Sequence, residues 1–348
     1  MIKKILITGF ISAVAFFGFF AFKFLGPAVN NKEDIYFYIK NGDDYKTVKD
    51  NLVNKQFIKS TSYDMVSKLL KFKKPKPGRY KLKDGLSLWK LVRLLRSGEQ
   101  VPVKMVIIKE RTKEAFAGKI GFGKKFDFEC DSLQMINFLN SNELLKKYGV
   151  DTNTVMAMLL PYTYSLNWNS TPEKIFQQFH TAYQKFWTKE RKGKADSLQL
   201  TQLKVSILAS IVEEETNKKE DRFNIASTYL NRLRTGMPLQ ADPTIKFALK
   251  DFTLKRILLT HLKYNSPYNT YINTGLPPGP ICTPSPETIN AVLYAPQTDY
   301  LYFVASSKFD GSSVFTTNFN DHLKYAQLYQ QELTRRMDSV KKANQLKN

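Results

Sequence analysis

Residues 205–216 read VSILASIVEEET, and the three adjacent glutamates are the groups in this chain best placed to do proton chemistry. A helix turns roughly 100° per residue, so with Leu208 at zero, Val205, Ile211 and Val212 fall within about 60° of it. Glu213 and Glu214 then lie about 120–140° away, on the polar side, whereas Glu215 lies only about 20° from Leu208. A carboxyl on the apolar face is expected to be desolvated. Desolvation disfavours its ionised form and raises its pKa. Two roles fit that position: a structural partner for a buried arginine, or a general acid that holds its proton near neutral pH.

Downstream loops are rich in neutral polar groups. Asn231-Arg232 sits in a helical pattern, followed by MPLQADPT at 237–244, SPYNTY at 266–271 and TGLPPGP at 274–280. Amides, hydroxyls and tyrosines supply the donors, acceptors and flat apolar surfaces that hydroxyl-rich ligands such as sugars require. Other chemistries find less support. Residues 118–124 give G-x-x-x-x-G-K, but Lys125 stands where a phosphate-binding loop needs Ser or Thr, and no strand precedes it. His180, His261 and His322 show no metal-ligand spacing, so no metal and no cofactor is expected. Cys130 and Cys282 are far apart and read as two small buried apolar residues.

These residues need a frame, and the chain predicts an α+β one. Ile35 to Ile39 reads as a strand, Asp44 caps a helix carrying Val48 and Leu52, and a second helix runs from near Ser60 to Leu70. Arg79 to Leu82 alternates as a strand, Ser87 caps a helix ended by Gly98, and Val101 to Ile108 alternates again. Residues 34–108 thus form a small α+β module. Beyond it, 109–335 forms a larger domain, mainly helical from 109 to about 200: Pro172 opens a helix, 189–196 reads as a charged loop, 198–215 and 224–234 are helices, and 265–287 carries too many prolines for regular structure. Tyr300 to Ala305 pairs with 314–317 across Gly311, a helix starts at Asp321, and 336–348 is a basic tail.

The first residues constrain location. After Lys3 and Lys4, Ile5 to Phe22 is an uncharged run of 18 residues, long enough with Phe24 and Leu25 to cross a bilayer as a helix. Lys23-Phe24-Leu25-Gly26-Pro27 offers no small-x-small cleavage site, so residues 1–26 read as an uncleaved anchor with its N-terminus inside. The formal charge of +22, from 53 Lys+Arg against 31 Asp+Glu, attracts polyanions. It is spread without an arginine-rich tract, and an extracytoplasmic location removes nucleic acid as a partner.

With these segments in order, the sequence resembles the MltG-type (YceG-like) endolytic murein transglycosylases. The resemblance rests on ILASIVEEET (207–216), YLNRL (229–233), LQADPT (239–244), SPYNTY (266–271), TGLPPGPICTPS (274–285), LYFVAS (301–306) and FTTNFNDH (315–322). It implies a single-pass protein of the cytoplasmic membrane, anchored through residues 5–25, with a LysM-like module and a larger mixed α/β catalytic domain outside. It implies peptidoglycan glycan strands as substrate, cut at the β-1,4 bond after N-acetylmuramic acid to leave a 1,6-anhydro end, and a link to peptidoglycan synthases. It also implies that the glutamate before Thr216, Glu215, is the catalytic one. By motif position, Asn231, Gln240, Asp242, Tyr268, Asn269 and Asn318 are the candidates for binding sugar or orienting Glu215. Two departures stand out: 160–165 reads LPYTYS rather than close to F-P-[DN]-T-Y-E, and 107–111 lacks the usual Pro-Glu-Gly turn. Two other readings therefore stay open: a glycan-binding scaffold whose catalytic domain has decayed, and a hydrolase with Glu215 as acid and Asp242 as base.

Overall fold

A computed structural model describes residues 2–29, 35–58 and 62–345, and these are α+β: helices with three two-stranded sheets. The chain divides into two compact units. The first holds residues 1–105, 120–131 and 165–172, and the second holds 106–119, 132–164 and 173–348. The first unit therefore takes the module expected over 34–108 only as far as Met105, leaves 106–108 to the second, and gathers two later segments that the sequence pattern placed in the catalytic domain.

In the first unit, strands Ile35–Ile39 and Gly78–Leu82 pair antiparallel, with Phe37 opposite Tyr80. Alternation puts Phe37, Ile39, Tyr80 and Leu82 on one face, where they meet Val48 and Leu52 of helix Tyr45–Asn54 and Leu91, Val92 and Leu95 of helix Leu88–Ser97. Local chemistry fixes the ends of these helices. Asp44 accepts from Thr47 N, Ser87 accepts from Lys90 N, and Gly98 takes a left-handed φ of 79° that ends helix Leu88–Ser97. On the other side of the first strand, Tyr38 packs 5.0 Å from the Trp168 ring and donates to Asp127 Oδ2 at 2.7 Å. That contact explains why 120–131 and 165–172 belong here, a long-range pairing that local periodicity does not register.

The N-terminal run is helical from Ile2–Leu25. The bilayer crossing expected of it is not carried over: among the described residues no helix is long and apolar enough to cross a membrane. Many side chains of this helix lie outside the described set.

The second unit is built around helix Gln202–Glu215, which packs against helices Lys219–Arg234, Asp242–Leu249 and Pro286–Leu293. Every residue from Val205 to Val212 is buried, Ser206, Ala209 and Ser210 included. Ser210 Oγ donates to Ile207 O at 2.7 Å and accepts from Ile281 N at 3.0 Å, so the proline-rich 274–285 segment is pinned to the central helix. Gly279 in that segment passes so close to Asn153 that an added Cβ would stand 2.0 Å from its carbonyl oxygen. Strands Tyr302–Ala305 and Ser313–Thr316 form a hairpin, and helix Phe319–Gln345 packs on it.

One expectation is corrected here. The charged stretch expected as a loop over 189–196 is helix Lys189–Ser197. Its composition gives no apolar stripe, but Thr188 caps it by accepting from Arg191 N, Glu190 sits in its first turn, and Ala195 is buried. Capping and packing supply what periodicity lacks. Cys130 and Cys282 are buried and free, as read from the sequence.

Candidate active site

The last turn of helix Gln202–Glu215 sends its three carboxylates into different surroundings. Glu213 accepts from Ser285 Oγ at 2.7 Å, Ser285 N at 3.2 Å and Thr288 Oγ1, and pairs with Arg222 at 3.4 Å. Glu214 lies between two cations, Lys109 and Arg111, each at 2.9 Å. Burial alone would raise its pKa, but hydrogen bonds from Arg111 and Lys109 outweigh burial and hold it below the usual glutamate value. The polar side of the helical wheel is therefore not solvent. Glu213 and Glu214 retain only 12% and 14% side-chain exposure, and both face protein cations.

Glu215 differs from both. The residue keeps some exposure, yet its carboxyl is packed among protein atoms, and burial pushes its pKa up to about 7. Its close partner is a phenol: Tyr229 donates from its hydroxyl to Glu215 Oε1 at 2.6 Å. That bond favours the ionised form, Asp242 opposes it, and Arg232 and Lys246 favour it more weakly from further off. Burial wins, so the acid holds its proton near neutrality. Tyr229 is itself 1% exposed, and its ring meets Phe303 edge-on at 5.8 Å.

Arg232, one turn beyond Tyr229, pairs with no carboxylate among the described residues. Its guanidinium donates to Leu301 O and Leu239 O, each at 2.7 Å, and lies 5.4 Å from the Tyr302 ring. It ties the hairpin and the 237–244 loop to the helix that carries Tyr229. Asp242 begins helix Asp242–Leu249 and accepts from the Tyr271 hydroxyl at 2.6 Å. Tyr271 has its pKa raised by burial first and by Asp242 second, so it remains a donor. Glu215, Tyr229, Asp242, Tyr271 and Arg232 thus form one electrostatic group.

The remaining predicted site residues separate into two sets. Gln240 is exposed beside Asp242 at a left-handed φ of 52°, and its N–H donates to Thr270 O at 3.0 Å. The ring of Tyr268 packs 4.7 Å from that of Phe247. Thr270 joins the two loops by accepting from Ala241 N at 3.0 Å and bonding Thr244 Oγ1 at 2.9 Å. Asn231, Asn269 and Asn318 have their amides committed to the backbone or to a cap. Asn231 Nδ2 donates to Thr298 O and Tyr300 O at 2.7 and 2.9 Å. Asn269 Nδ2 donates to Leu262 O and Tyr264 O at 2.9 and 2.8 Å, and its Oδ1 accepts from Tyr271 N at 2.9 Å. Asn318 exchanges hydrogen bonds with Asp321 at the start of the C-terminal helix. These bonds hold the loops in which the three residues sit.

Tyr229, Tyr271, Arg232 and Thr270 were not singled out from the sequence for these roles. The spacing of Tyr229 and Glu215 on two adjacent helices carries no periodic signature. Of the departing 160–165 segment, Tyr162 lies within electrostatic reach of Arg191 and Glu287 rather than of Glu215. Among the described residues, no three His, Cys, Asp or Glu side chains cluster as metal ligands would.

Residues 37–328 match the YceG-like family. The chain belongs to that family. It is 33% identical over 276 residues to an endolytic murein transglycosylase of Bacillus subtilis (strain 168), covering 72% of each protein. It is 34% identical over 168 residues to an endolytic murein transglycosylase of Streptococcus pneumoniae serotype 2, covering 47% of this chain and 30% of that one. A crystal structure of a yceG-like protein from Listeria monocytogenes superposes with a TM-score of 0.56 at 27% identity, over 84% of this chain and 99% of the other.

Proposed function

We propose that this YceG-like chain is an endolytic lytic transglycosylase. It cleaves the β-1,4 bond between N-acetylmuramic acid and N-acetylglucosamine in nascent peptidoglycan and leaves 1,6-anhydromuramic ends, which terminates strand elongation. The observation that carries this reading is Glu215: a packed carboxyl with its pKa near 7, bonded to a tyrosine rather than a cation, beside two glutamates that are already ion-paired.

Protonated Glu215 gives its proton to the glycosidic oxygen as the C1–O bond breaks. The resulting carboxylate takes the proton of the muramic C6 hydroxyl, whose oxygen closes onto C1. One carboxyl serves as acid and then as base, and no water enters. The Tyr229 hydroxyl stabilises the carboxylate between the two steps, and burial restores the proton affinity needed for the first. Gln240, Asp242 and Tyr268 face the sugar from the two loops joined at Thr270, while Asn231, Asn269 and Asn318 hold the loops that surround it.

The same reading makes residues 34–108 a LysM-like module, supported by the strand–helix–helix–strand order from Ile35 to Leu82. It makes residues 5–25 a single-pass anchor in the cytoplasmic membrane, supported by the uncharged run from Ile5 to Phe22, with the catalytic unit outside and within reach of peptidoglycan synthases.

The test is a digest of purified peptidoglycan by the full chain in detergent, with products identified by mass spectrometry. Anhydromuropeptides from the wild type and none from Glu215→Gln are expected. Reducing-end muramic acid would replace this reading by hydrolysis with Asp242 as base, and glycan binding without any product would replace it by a scaffold.

A further inference from the structure

A cavity of about 510 Å3 opens in the first unit, lined by Tyr45, Asp64, Ser67, Lys68, Lys71 and Lys73 with Phe72 beside them. Its volume is in the range of small-molecule sites, about 300–1,000 Å3. Its polar lining is unusual. Ser67 is 2% exposed, and its Oγ, within reach of the Tyr45 and Tyr63 hydroxyls, makes no close hydrogen bond among the described residues. The same holds for the hydroxyl of Tyr63, 0% exposed, whose ring stacks 5.7 Å from that of Tyr45. Buried hydroxyls that lack a close partner are costly, and Ser67, the one of the two that lines the cavity, can donate to an occupant that accepts.

The surrounding charges say what kind of occupant. Lys68, Lys71 and Lys73 are exposed at the rim, and none forms an ion pair among the described residues. Asp64, the carboxylate in the lining, is already engaged: its Oδ1 accepts from the Tyr45 hydroxyl at 2.8 Å and its Oδ2 pairs with Lys49. The carbonyls ending helix Ser62–Leu69 are also occupied. Phe72 N donates to Ser67 O at 2.8 Å, Lys71 N to Lys68 O at 3.1 Å, and Arg96 to Leu70 O at 2.5 Å. That closure requires Lys71 to adopt a left-handed φ of 51°, a position usually given to glycine or asparagine, and it holds the three lysines around one opening. What the opening offers an occupant is three exposed ammonium groups and the Ser67 hydroxyl.

We propose that this cavity binds a phosphate-bearing ligand, its phosphate held by Lys68, Lys71 and Lys73 above the Ser67 hydroxyl and its organic part against Tyr45 and Phe72. The phosphate is that of an anionic lipid headgroup or of a soluble phosphate compound; the chemistry is shared. This site is independent of Glu215 and stands whether or not the transglycosylase reading does.

The test uses the full chain in phosphatidylcholine nanodiscs, with inorganic pyrophosphate as probe and 31P line broadening as readout. Saturable binding is expected, at least ten-fold weaker in the triple variant Lys68→Gln, Lys71→Gln, Lys73→Gln and roughly three-fold weaker in Ser67→Ala, with unchanged melting in both. In nanodiscs containing phosphatidylglycerol, loss of pyrophosphate binding identifies the headgroup as the source, and its retention identifies a soluble phosphate. Equal binding by wild type and triple variant overturns the proposal. So does weakening in the triple variant with none in Ser67→Ala, which marks unspecific surface attraction. Displacement of pyrophosphate by a neutral N-acetylglucosamine tetramer also overturns it, in favour of a glycan site.

Discussion

Two sides of one helical turn carry the same residue type in opposite electrostatic states. On one side Glu213 and Glu214 meet Arg222, Lys109 and Arg111, and the Glu214 carboxyl is held below its usual pKa. On the other, Glu215 meets the Tyr229 phenol, and its pKa rises to about 7. Burial is common to all three. Between Glu214 and Glu215, what differs is whether the bonded neighbour carries a formal positive charge, which overcomes desolvation, or only a dipole, which does not. A phenol can therefore support a carboxylate during turnover without deprotonating the resting acid.

The largest expected effect separates the two sides outright. Glu215→Gln should lower anhydromuropeptide release by about 10^3-fold, within the range for loss of a general acid, with thermal stability at or above wild type. Glu214→Gln should do the reverse. It leaves Lys109 and Arg111 without their counter-charge and should cost roughly 1–3 kcal/mol in a denaturant titration, while product formation in the folded fraction persists. Loss of chemistry in both variants would erase the distinction.

Next comes the pH dependence of stability, whose sign differs between the two neighbours. Glu215, with a folded pKa raised above its ordinary 4.5, binds a proton in the native state that the unfolded chain has released. Its contribution is therefore lost as pH rises from about 4.5 to about 7, by at most about 1.4 kcal/mol per pH unit. Glu214, with a lowered folded pKa, contributes stability present above its unfolded value and lost as pH falls below it. Denaturation of wild type against each glutamine variant across pH 3–8 (roughly the span of these titrations) resolves the two slopes.

Tyr229→Phe is expected to act more gently. Removing a donor that favours the carboxylate raises the pKa of Glu215, so the alkaline limb of kcat/KM moves upward while the rate falls about ten-fold. A limb that stays in place would mean that the phenol does not bond the acid in solution. Smallest is Asp242→Asn, which removes a nearby negative charge. The alkaline limb should shift slightly downward, by a few tenths of a pH unit, as expected of one screened charge.

How much of this was legible beforehand depends on the range of the interaction. The inward Glu215 followed from 3.6-residue periodicity alone, and caps such as Asp44, Ser87 and Gly98 followed from local residue chemistry. The placement of Glu213 and Glu214 on a polar side was right in direction, but periodicity cannot say whether that side meets water or Arg222 and Lys109. Loop composition pointed to asparagines as ligands, yet the amides of Asn231 and Asn269 bond to backbone carbonyls several to many residues away. Tyr229 entered only as part of the YLNRL segment, because its bond to Glu215 joins two helices and leaves no local signature.

The central helix is enclosed along its whole length from Val205 to Val212, and this bears on which changes the chain can accumulate. A side chain there can be exchanged for another of similar volume, since the surroundings adjust locally. A single inserted or deleted residue cannot be absorbed in the same way. It would rotate Glu215 by about 100° and slide it about 1.5 Å along the axis, away from Tyr229 and toward the cations that serve its neighbours. In this lineage the segment should vary in spelling but hold a constant length.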